Sequence, residues 1–302
     1  MPNSLTTIAD FIRFAYSRFN EENIFFGHGT DNGWDESVSL VLQVLYLPWD
    51  FSTEMWSCRL SEEEKSRVLE AISLRVDKRI PLAYITKQAW FCDHRFIVDE
   101  RVLIPRSPIA ELINNRFSPW LFVDDTDKAL SILDLCTGSG CIGIAAALEF
   151  DNAKVDLLDI SEDALAVAKS NIALYELENR VTALQSDVFS VLKSLPGKRY
   201  DIILSNPPYV DLHDYQTMPE EFAKEPELGL VAGEDGLDIV RKILSQAAQY
   251  LTDEGLMIVE VGNSWEALEK AYPDFPFMWV EFEFGGHGVF VIRADELKNR
   301  SW

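Results

Sequence analysis

From Ser131 to Arg293 short apolar runs alternate with segments of helical periodicity, and this alternation limits the fold more than any other feature. The runs are SILDLC, KVDLLDI, VTALQS, YDIILSN and GLMIVEVG; helical spacing falls over Cys141 to Phe150, Ala164 to Tyr175, Leu237 to Tyr250 and around Trp265. Strands that follow helical crossovers run the same way, so the pattern dictates a mostly parallel sheet covered by helices on both faces. The last two runs, FMWVEFEF and GVFVIR, meet at Gly285-Gly286-His287-Gly288. That join is too short for a helical crossover, so an antiparallel final pair is expected.

The first strand, ILDLC, runs into Thr137-Gly138-Ser139-Gly140 and straight on into a helix. Glycines let a ligand approach the main chain, and the amides of a helix start face whatever sits in the turn. Asp159 ends the next strand, 19 positions after Gly140, where a carboxylate can accept both ribose hydroxyls. This arrangement calls for a nucleoside-containing cofactor. Gly138, Gly140 and Gly143 fit the pattern of dinucleotide enzymes as well, so the glycines alone leave NAD and S-adenosylmethionine open. Asp134, just before the loop, is placed to meet a cationic amine or an ordered water, and S-adenosylmethionine carries such an amine. Asp187 in QSDVF stands where an adenine amino group could be bound, with Val188 and Phe189 beside it to pack on the ring; a surface turn is the alternative. Cys136 and Cys141 flank the loop without a His, Asp or Glu cluster at ligand spacing, so they read as small packing residues and no metal is expected.

The fourth strand ends in Asn206-Pro207-Pro208-Tyr209, at the sheet edge where ligands of open α/β sheets collect. An amide nitrogen is a poor nucleophile because its lone pair is delocalised, so a catalyst must orient it. The Asn206 side-chain oxygen and the Pro207 carbonyl can accept both hydrogens of a planar amino group. Consecutive prolines hold that carbonyl rigidly, and Tyr209 can stack on the flat group. Read this way the motif catalyses by positioning, with no strong base required; an ordinary turn is the alternative.

Ahead of the sheet, Ile8, Phe11, Ile12, Ala15 and Phe19, and then Val38, Val41, Leu42 and Leu45, recur at helical spacing. Ser61 and Glu64 form a capping box that opens a third helix to about Arg79. AYIT, AWF and RFIVDERVLIP read as extended, with Cys92-Asp93-His94 as a hairpin turn. Ser107 and Pro108 open a further helix through Asn115, and the polar stretch Asp124 to Lys128 precedes the alternating half. The chain thus divides into a helical module over 1–80, a hairpin linker over 81–105 and an α/β domain over 106–302. His28 reads as a turn or packing residue rather than a catalytic one.

With 27 basic and 50 acidic residues the formal charge is −23. Such a surface repels a phosphate backbone and concentrates basic partners, which disfavours nucleic acid as direct substrate and suits a basic protein; an acidic surface that serves only solubility is the equal alternative. The run from Asp211 to Asp238, with nine acidic residues against Lys224 alone, reads as a docking surface for such a partner, or as a solvated loop before a helix. The four cysteines form no CxxC pair, which reads as reduced thiols. No apolar run approaches the roughly 18 residues of a membrane span, and the start lacks a signal pattern, so a cytoplasmic protein is expected.

Asn206 to Tyr209, together with FGHGTDNGWDE (Phe26 to Glu36), RIPLAYIT, FIVDERVLIPRSPIAELI, DLCTGSGCIGIA and EPELGLVAGEDGLDIVRKIL, resemble the HemK-type family of protein-glutamine methyltransferases over nearly the whole chain. The NPPY motif is shared with enzymes that methylate the amino group of DNA adenine. The resemblance is greatest to the branch that acts on ribosomal protein uL3, with the branch acting on peptide chain release factors as near neighbour. It implies a class I S-adenosylmethionine-dependent methyltransferase sheet of seven strands with an antiparallel last strand, preceded by a small helical substrate-recognition domain. It further implies that the cofactor is held by Cys136 to Gly140, with Asp159 on the ribose, and that Asn206 to Tyr209 grip the glutamine. Arg106 in IPRSP aligns near the cofactor, where it would hold the carboxylate; an exposed structural arginine is equally compatible. Cys136 departs from the family's usual glycine.

Overall fold

The computed structural model describes residues 4–121, 129–298, 300 and 302; the polar stretch Asp124 to Lys128 lies outside the described residues. The chain divides into two compact units, one of 1–89 with 219–224 and one of 90–218 with 225–302.

In the first unit, α1 (Ile8–Glu21) buries Ile8, Phe11, Ile12, Ala15 and Phe19, the residues whose spacing defines one helical face. α2 (Gly33–Val44) starts at Asn32, whose side chain accepts the Asp35 amide. α3 (Glu62–Asp77) opens on the Ser61–Glu64 capping box, with both reciprocal bonds formed. Their inward faces meet in a cluster that includes Phe11, Phe19, Leu40, Val41, Val68 and Ile72. α4 (Leu82–Thr86) corrects the extended reading of AYIT. Pro81 presets the helix entry, Leu82, Ala83 and Tyr84 are buried, and Lys87 at φ +58° ends it in a left-handed cap.

A buried charge cluster lies beside this core. The Arg75 guanidinium is fully buried; its Nε donates to Glu36, Nη2 donates to the Phe25 carbonyl at 2.7 Å and Nη1 faces Glu221 at 3.5 Å. Glu221, in the 219–224 segment, also accepts the Phe25 amide at 3.1 Å and Arg79 Nη1 at 3.4 Å.

β1 (Gln88–Phe91) and β2 (His94–Ile97) form a two-stranded hairpin, with Cys92 and Asp93 both left-handed at the expected turn; His94, expected in that turn, opens β2 instead. Only part of RFIVDERVLIP is strand; residues after Ile97 run as loop to α5 (Ile109–Asn114).

The sheet of the second unit consists of β3 (Ser131–Leu135), β4 (Lys154–Asp159), β5 (Val181–Gln185), β6 (Tyr200–Ser205), β7 (Leu251–Glu260), β8 (Met278–Trp279) and β9 (Val289–Arg293). The strand order is β5-β4-β3-β6-β7-β9-β8. The first five are mutually parallel and β9 pairs antiparallel with both β7 and β8. Between the strands run α6 (Cys141–Glu149), α7 (Glu162–Leu174), α8 (Leu212–Thr217), α9 (Asp238–Ala247) and α10 (Trp265–Ala271), and α11 (Ala294–Lys298) closes the series. Leu133, Ile203, Met257, Val259 and Phe290 from the strands pack with Val240, Ile243 and Leu244 of α9.

FMWVEFEF keeps only two residues as strand. Val280 makes one further ladder bond, to the Val289 carbonyl at 2.9 Å, and then the amides of Glu283 and Phe284 turn to the Glu111 carboxylate instead. The ladder stops because its donors are taken elsewhere.

Removing Arg75 leaves Glu36 and Glu221 buried without their central cation, the costly way to break a buried pair. Arg75→Ala is expected to lower unfolding stability by about 3–5 kcal/mol, read as a shift in the urea midpoint; a change below about 1 kcal/mol would contradict the buried-cluster account.

Candidate active site

β3 and β6 are parallel neighbours in register Leu135↔Ser205, so the residues following each strand emerge together. The loop after β3 and the motif after β6 share one cavity in the second unit: Cys136, Thr137, Gly138, Ser139, Asn206 and Pro208 all line it. The cavity is completed by Asp159, Asp187 and Val188, by the 101–107 segment containing Arg106, and by the stretch around Leu228.

Each glycine of the loop has its own task. Gly138 is left-handed at φ +56°, and an added Cβ would meet nothing within 4 Å, so its open side is cavity. Gly140, at φ +81°, is the N-cap of α6 and packs on Ile144 and Leu157. Gly143 brings α6 onto the sheet; a Cβ there would stand 2.2 Å from Leu157 Cδ2. Cys136 occupies a left-handed position, φ +56°, which a side chain adopts only at a cost, so the usual glycine of such loops has a steric reason. Its thiol, and that of Cys141, is pushed up by burial, to about 12 for Cys141, so both stay protonated.

The structure places Asp134 beneath the loop and away from the cavity wall. It is fully buried; Oδ2 accepts the Thr137 hydroxyl and the Gly143 amide, the latter at 3.0 Å. It therefore braces the loop, and its other oxygen is buried without a hydrogen-bond partner among the described residues; the expectation from sequence position is a ligand amine or an ordered water. Burial raises it to about 7, against the pull of those two hydrogen bonds.

Asp159 sits on the wall. Oδ2 accepts the Gly138 amide at 2.8 Å and Oδ1 the Ser161 amide at 2.9 Å, and burial raises its pKa. Each oxygen keeps a further lone pair for a vicinal diol. Ser139 lines the cavity with its hydroxyl buried beside the Cys141 thiol. The open side of Gly138 and the Asp159 carboxylate fit a ribose-bearing cofactor. Asp187 lies across the cavity with Lys242 at 3.2 Å, and Val188 is buried at φ +48°. A β-branched residue in that region is held there by its surroundings, as found at ligand sites. Both terminal nitrogens of Arg106 reach the buried Glu225 carboxylate at 2.7 Å. Its guanidinium is thus already forked onto a protein carboxylate.

Asn206 is half-buried on the cavity, Pro207 is buried behind it and Tyr209 does not line the cavity. The Tyr209 phenol donates to Glu260 Oε1 at 3.0 Å, Ser107 donates to Glu260 Oε2 at 2.6 Å, and Ser264 donates to the Tyr209 carbonyl at 2.6 Å. A Cβ at Gly262 would lie 2.4 Å from the tyrosine ring, and one at Gly236 would lie 2.2 Å from its carbonyl. Only glycines allow this approach. Glu260, Ser107, Gly236 and Gly262 were not legible as site residues; Glu260 ends β7 at the same sheet edge, which is the signal that was available.

The acidic run divides. Glu221 and Glu225 are buried on arginines, Asp235 holds Arg241 and Asp211 caps α8. These four are structural, so the surface available to a basic partner is smaller than the count suggested. His28 belongs to the first unit, its ring 4.6 Å from Phe222, and packs there as expected. All four cysteines are free. Among the described residues no group of three or more His, Cys, Asp or Glu side chains could hold a metal, and no helix is long and apolar enough to cross a membrane.

Residues 120–231 match the methyltransferase small domain family. The chain is 50% identical over 295 residues, 98% of its length and 92% of the relative's, to the ribosomal protein uL3 glutamine methyltransferase of Francisella tularensis. It is 46% identical to the protein of that description from Neisseria gonorrhoeae, covering 97% of this chain and 96% of the relative. A solved methyltransferase from Pyrococcus furiosus is 15% identical, with a TM-score of 0.46, covering 78% of this chain and 99% of that one.

Because the folded state favours neutral Asp134, the unfolded chain ionises first, and the stability this residue contributes is full below about pH 4 and is lost as pH rises to about 7. Asp134→Asn keeps the acceptor oxygen and cannot ionise. Without cofactor, the Tm of the variant relative to the parent is expected to rise between pH 4 and 7 and then level off; a difference flat across that window would refute the assignment.

Proposed function

The chain belongs to the ribosomal protein uL3 glutamine methyltransferases, and from that membership we propose that it transfers a methyl group from S-adenosylmethionine to the side-chain amide nitrogen of a glutamine in uL3. The observation that carries the chemistry is the shared cavity: Gly138 and Asp159 line it from one side and Asn206 and Pro208 from the other.

In this reading the Asp159 oxygens take the two ribose hydroxyls and the loop from Cys136 to Gly140 lies along the cofactor, with Asp187 and Val188 on the adenine. Asp134 acts one step removed, by fixing Thr137 and Gly143. Arg106, committed to Glu225, shapes the wall near the carboxylate end. The bound cofactor supplies an electrophilic methyl carbon on a positively charged sulfur; the protein has to supply alignment. Asn206 Oδ1 and the Pro207 carbonyl accept the two amide hydrogens, which turns the nitrogen toward that carbon. As the amide nitrogen bonds to the methyl carbon and that carbon's bond to sulfur breaks, the nitrogen becomes positive and the same two acceptors hold its hydrogens more strongly; one of those hydrogens then leaves as a proton to water, which restores a neutral amide. Tyr209 is held close to Gly262 with its phenol pinned by Glu260; in this reading that fixed ring packs on the flat amide.

The formal charge of −23 supports a basic protein over nucleic acid as substrate. We assign recognition of that protein to the helical module over 1–80, with 81–105 as its linker and 106–302 as the catalytic domain.

Asn206→Ala is expected to lower kcat by about a hundredfold or more, with cofactor affinity within twofold of the parent. Asp159→Ala is expected to weaken cofactor binding by roughly ten- to a hundredfold, the worth of hydrogen bonds to a charged group. Calorimetry of cofactor binding beside single-turnover methyl transfer separates the two effects, and an Asn206→Ala enzyme with normal turnover would sink the assigned role.

Glu260 accepts from Tyr209 and Ser107 on its two oxygens; protonation makes one of them a donor and weakens both as acceptors, and burial raises Glu260 to about 6. Turnover is therefore expected to fall as pH drops through about 6, and Glu260→Gln to abolish that acidic limb while lowering the plateau. An unchanged limb in the variant would assign the titration to another group.

A further inference from the structure

The loop between β8 and β9, residues 280–288, carries the most exposed large hydrophobic side chain described: Phe284 is 86% exposed. Its backbone is nonetheless tightly held. The amides of Glu283 and Phe284 donate to the Glu111 carboxylate at 3.1 and 3.3 Å, and His287 is bonded to Asn263 at 2.8 Å. Glycines press the loop onto the acceptor machinery. A Cβ at Gly286 would lie 2.7 Å from Pro108, the neighbour of Ser107, and one at Gly288 would lie 2.2 Å from the Gly262 carbonyl. Gly262 is the residue close to the Tyr209 ring. The loop is thus one contact removed from the glutamine-gripping motif.

A free loop would fold an apolar ring against its own protein, since burying a Phe side chain is worth about 1.5–3 kcal/mol. Here a carboxylate fixes the peptide while the ring stays in water. That is the arrangement of a preorganised anchor, whose ordering cost is already met before binding. Glu281 and Glu283, three and one residues before it in the chain, are both exposed, so a segment that reaches the ring along this stretch of the loop passes two carboxylates. Neither carboxylate is needed by the fold, for it is the Glu283 amide and not its side chain that makes the structural bond.

We propose that this loop is the docking lip for the segment of the protein substrate that carries the target glutamine, with Phe284 as its apolar anchor and Glu281 and Glu283 selecting lysine or arginine beside the glutamine. The proposal rests on the glutamine-methyltransferase reading and adds to it where the acceptor segment is held. Charge complementarity commits the occupant: a basic segment gains along this stretch, and an acidic one is repelled.

The test is steady-state methylation of uL3 by the wild-type chain, Phe284→Ala and the double variant Glu281→Lys/Glu283→Lys, with cofactor affinity measured in parallel. All three positions are exposed, so the fold and Tm should be unchanged. Phe284→Ala is expected to raise KM for uL3 about tenfold, as truncation of an interface anchor does, with kcat and cofactor affinity within twofold. The double variant is expected to raise KM further at low salt and to converge toward wild type as salt is added. KM values within twofold of wild type in both variants would overturn the docking assignment while leaving the chemistry standing, as would a loss confined to kcat. If wild type itself transfers no methyl to uL3, the functional reading fails and the docking assignment falls with it.

Discussion

The site depends on the parallel pairing of β3 with β6. With Leu135 opposite Ser205, the chain leaves both strands at one edge, and the glycine loop and the Asn206 motif are delivered to the same cavity without any long-range search by side chains. The Ser205 hydroxyl donates to the Leu135 carbonyl at 2.9 Å, which ties the two strand ends just below that point. Everything built on the edge, from the Asp159 bonds to the fixed tyrosine, elaborates this register.

The register makes the site rigid. Methyl transfer to an amide needs the nitrogen held in line more than it needs a base, and the protein devotes buried polar groups to that end. Asp134 stiffens the glycine loop from below; Glu260 stiffens Tyr209 from behind, with Ser107 and Ser264 completing its bonds. Both acids are raised by burial, and both are fixed by hydrogen bonds from the groups they brace. The glycines at 236, 262 and 288 let main chain and ring approach where any side chain would intervene.

The periodic parts of this architecture were legible in the sequence because periodicity reports burial directly. The alternation from β3 to β7 and the capping box at Ser61 are local patterns, and they formed where their residues predict; the hairpin turn formed at Cys92–Asp93, with His94 passing into β2. The AYIT segment read wrongly because a short apolar run has no period of its own; Pro81 and the cap at Lys87 decided it. FMWVEFEF read as a long strand because the competing acceptor, Glu111, is far away in sequence. At the site, residues next to the strand ends were found from position, and Glu260, Gly262 and Ser107 were not, since their meaning lies in contacts made across the sheet. The same limit explains Asp134 and the acidic run: a carboxylate's place in the chain does not tell whether it faces a ligand, an arginine or a helix start.

The central claim is that this edge methylates a glutamine of uL3. Its most direct test incubates the enzyme and labelled S-adenosylmethionine with purified uL3, a peptide chain release factor and adenine-containing DNA in parallel, and locates the label by mass spectrometry. The account predicts label on the side-chain nitrogen of a uL3 glutamine, with none on DNA. Label on the release factor alone would keep the chemistry and contradict the substrate, and label on DNA alone would contradict the reading of both charge and acceptor motif.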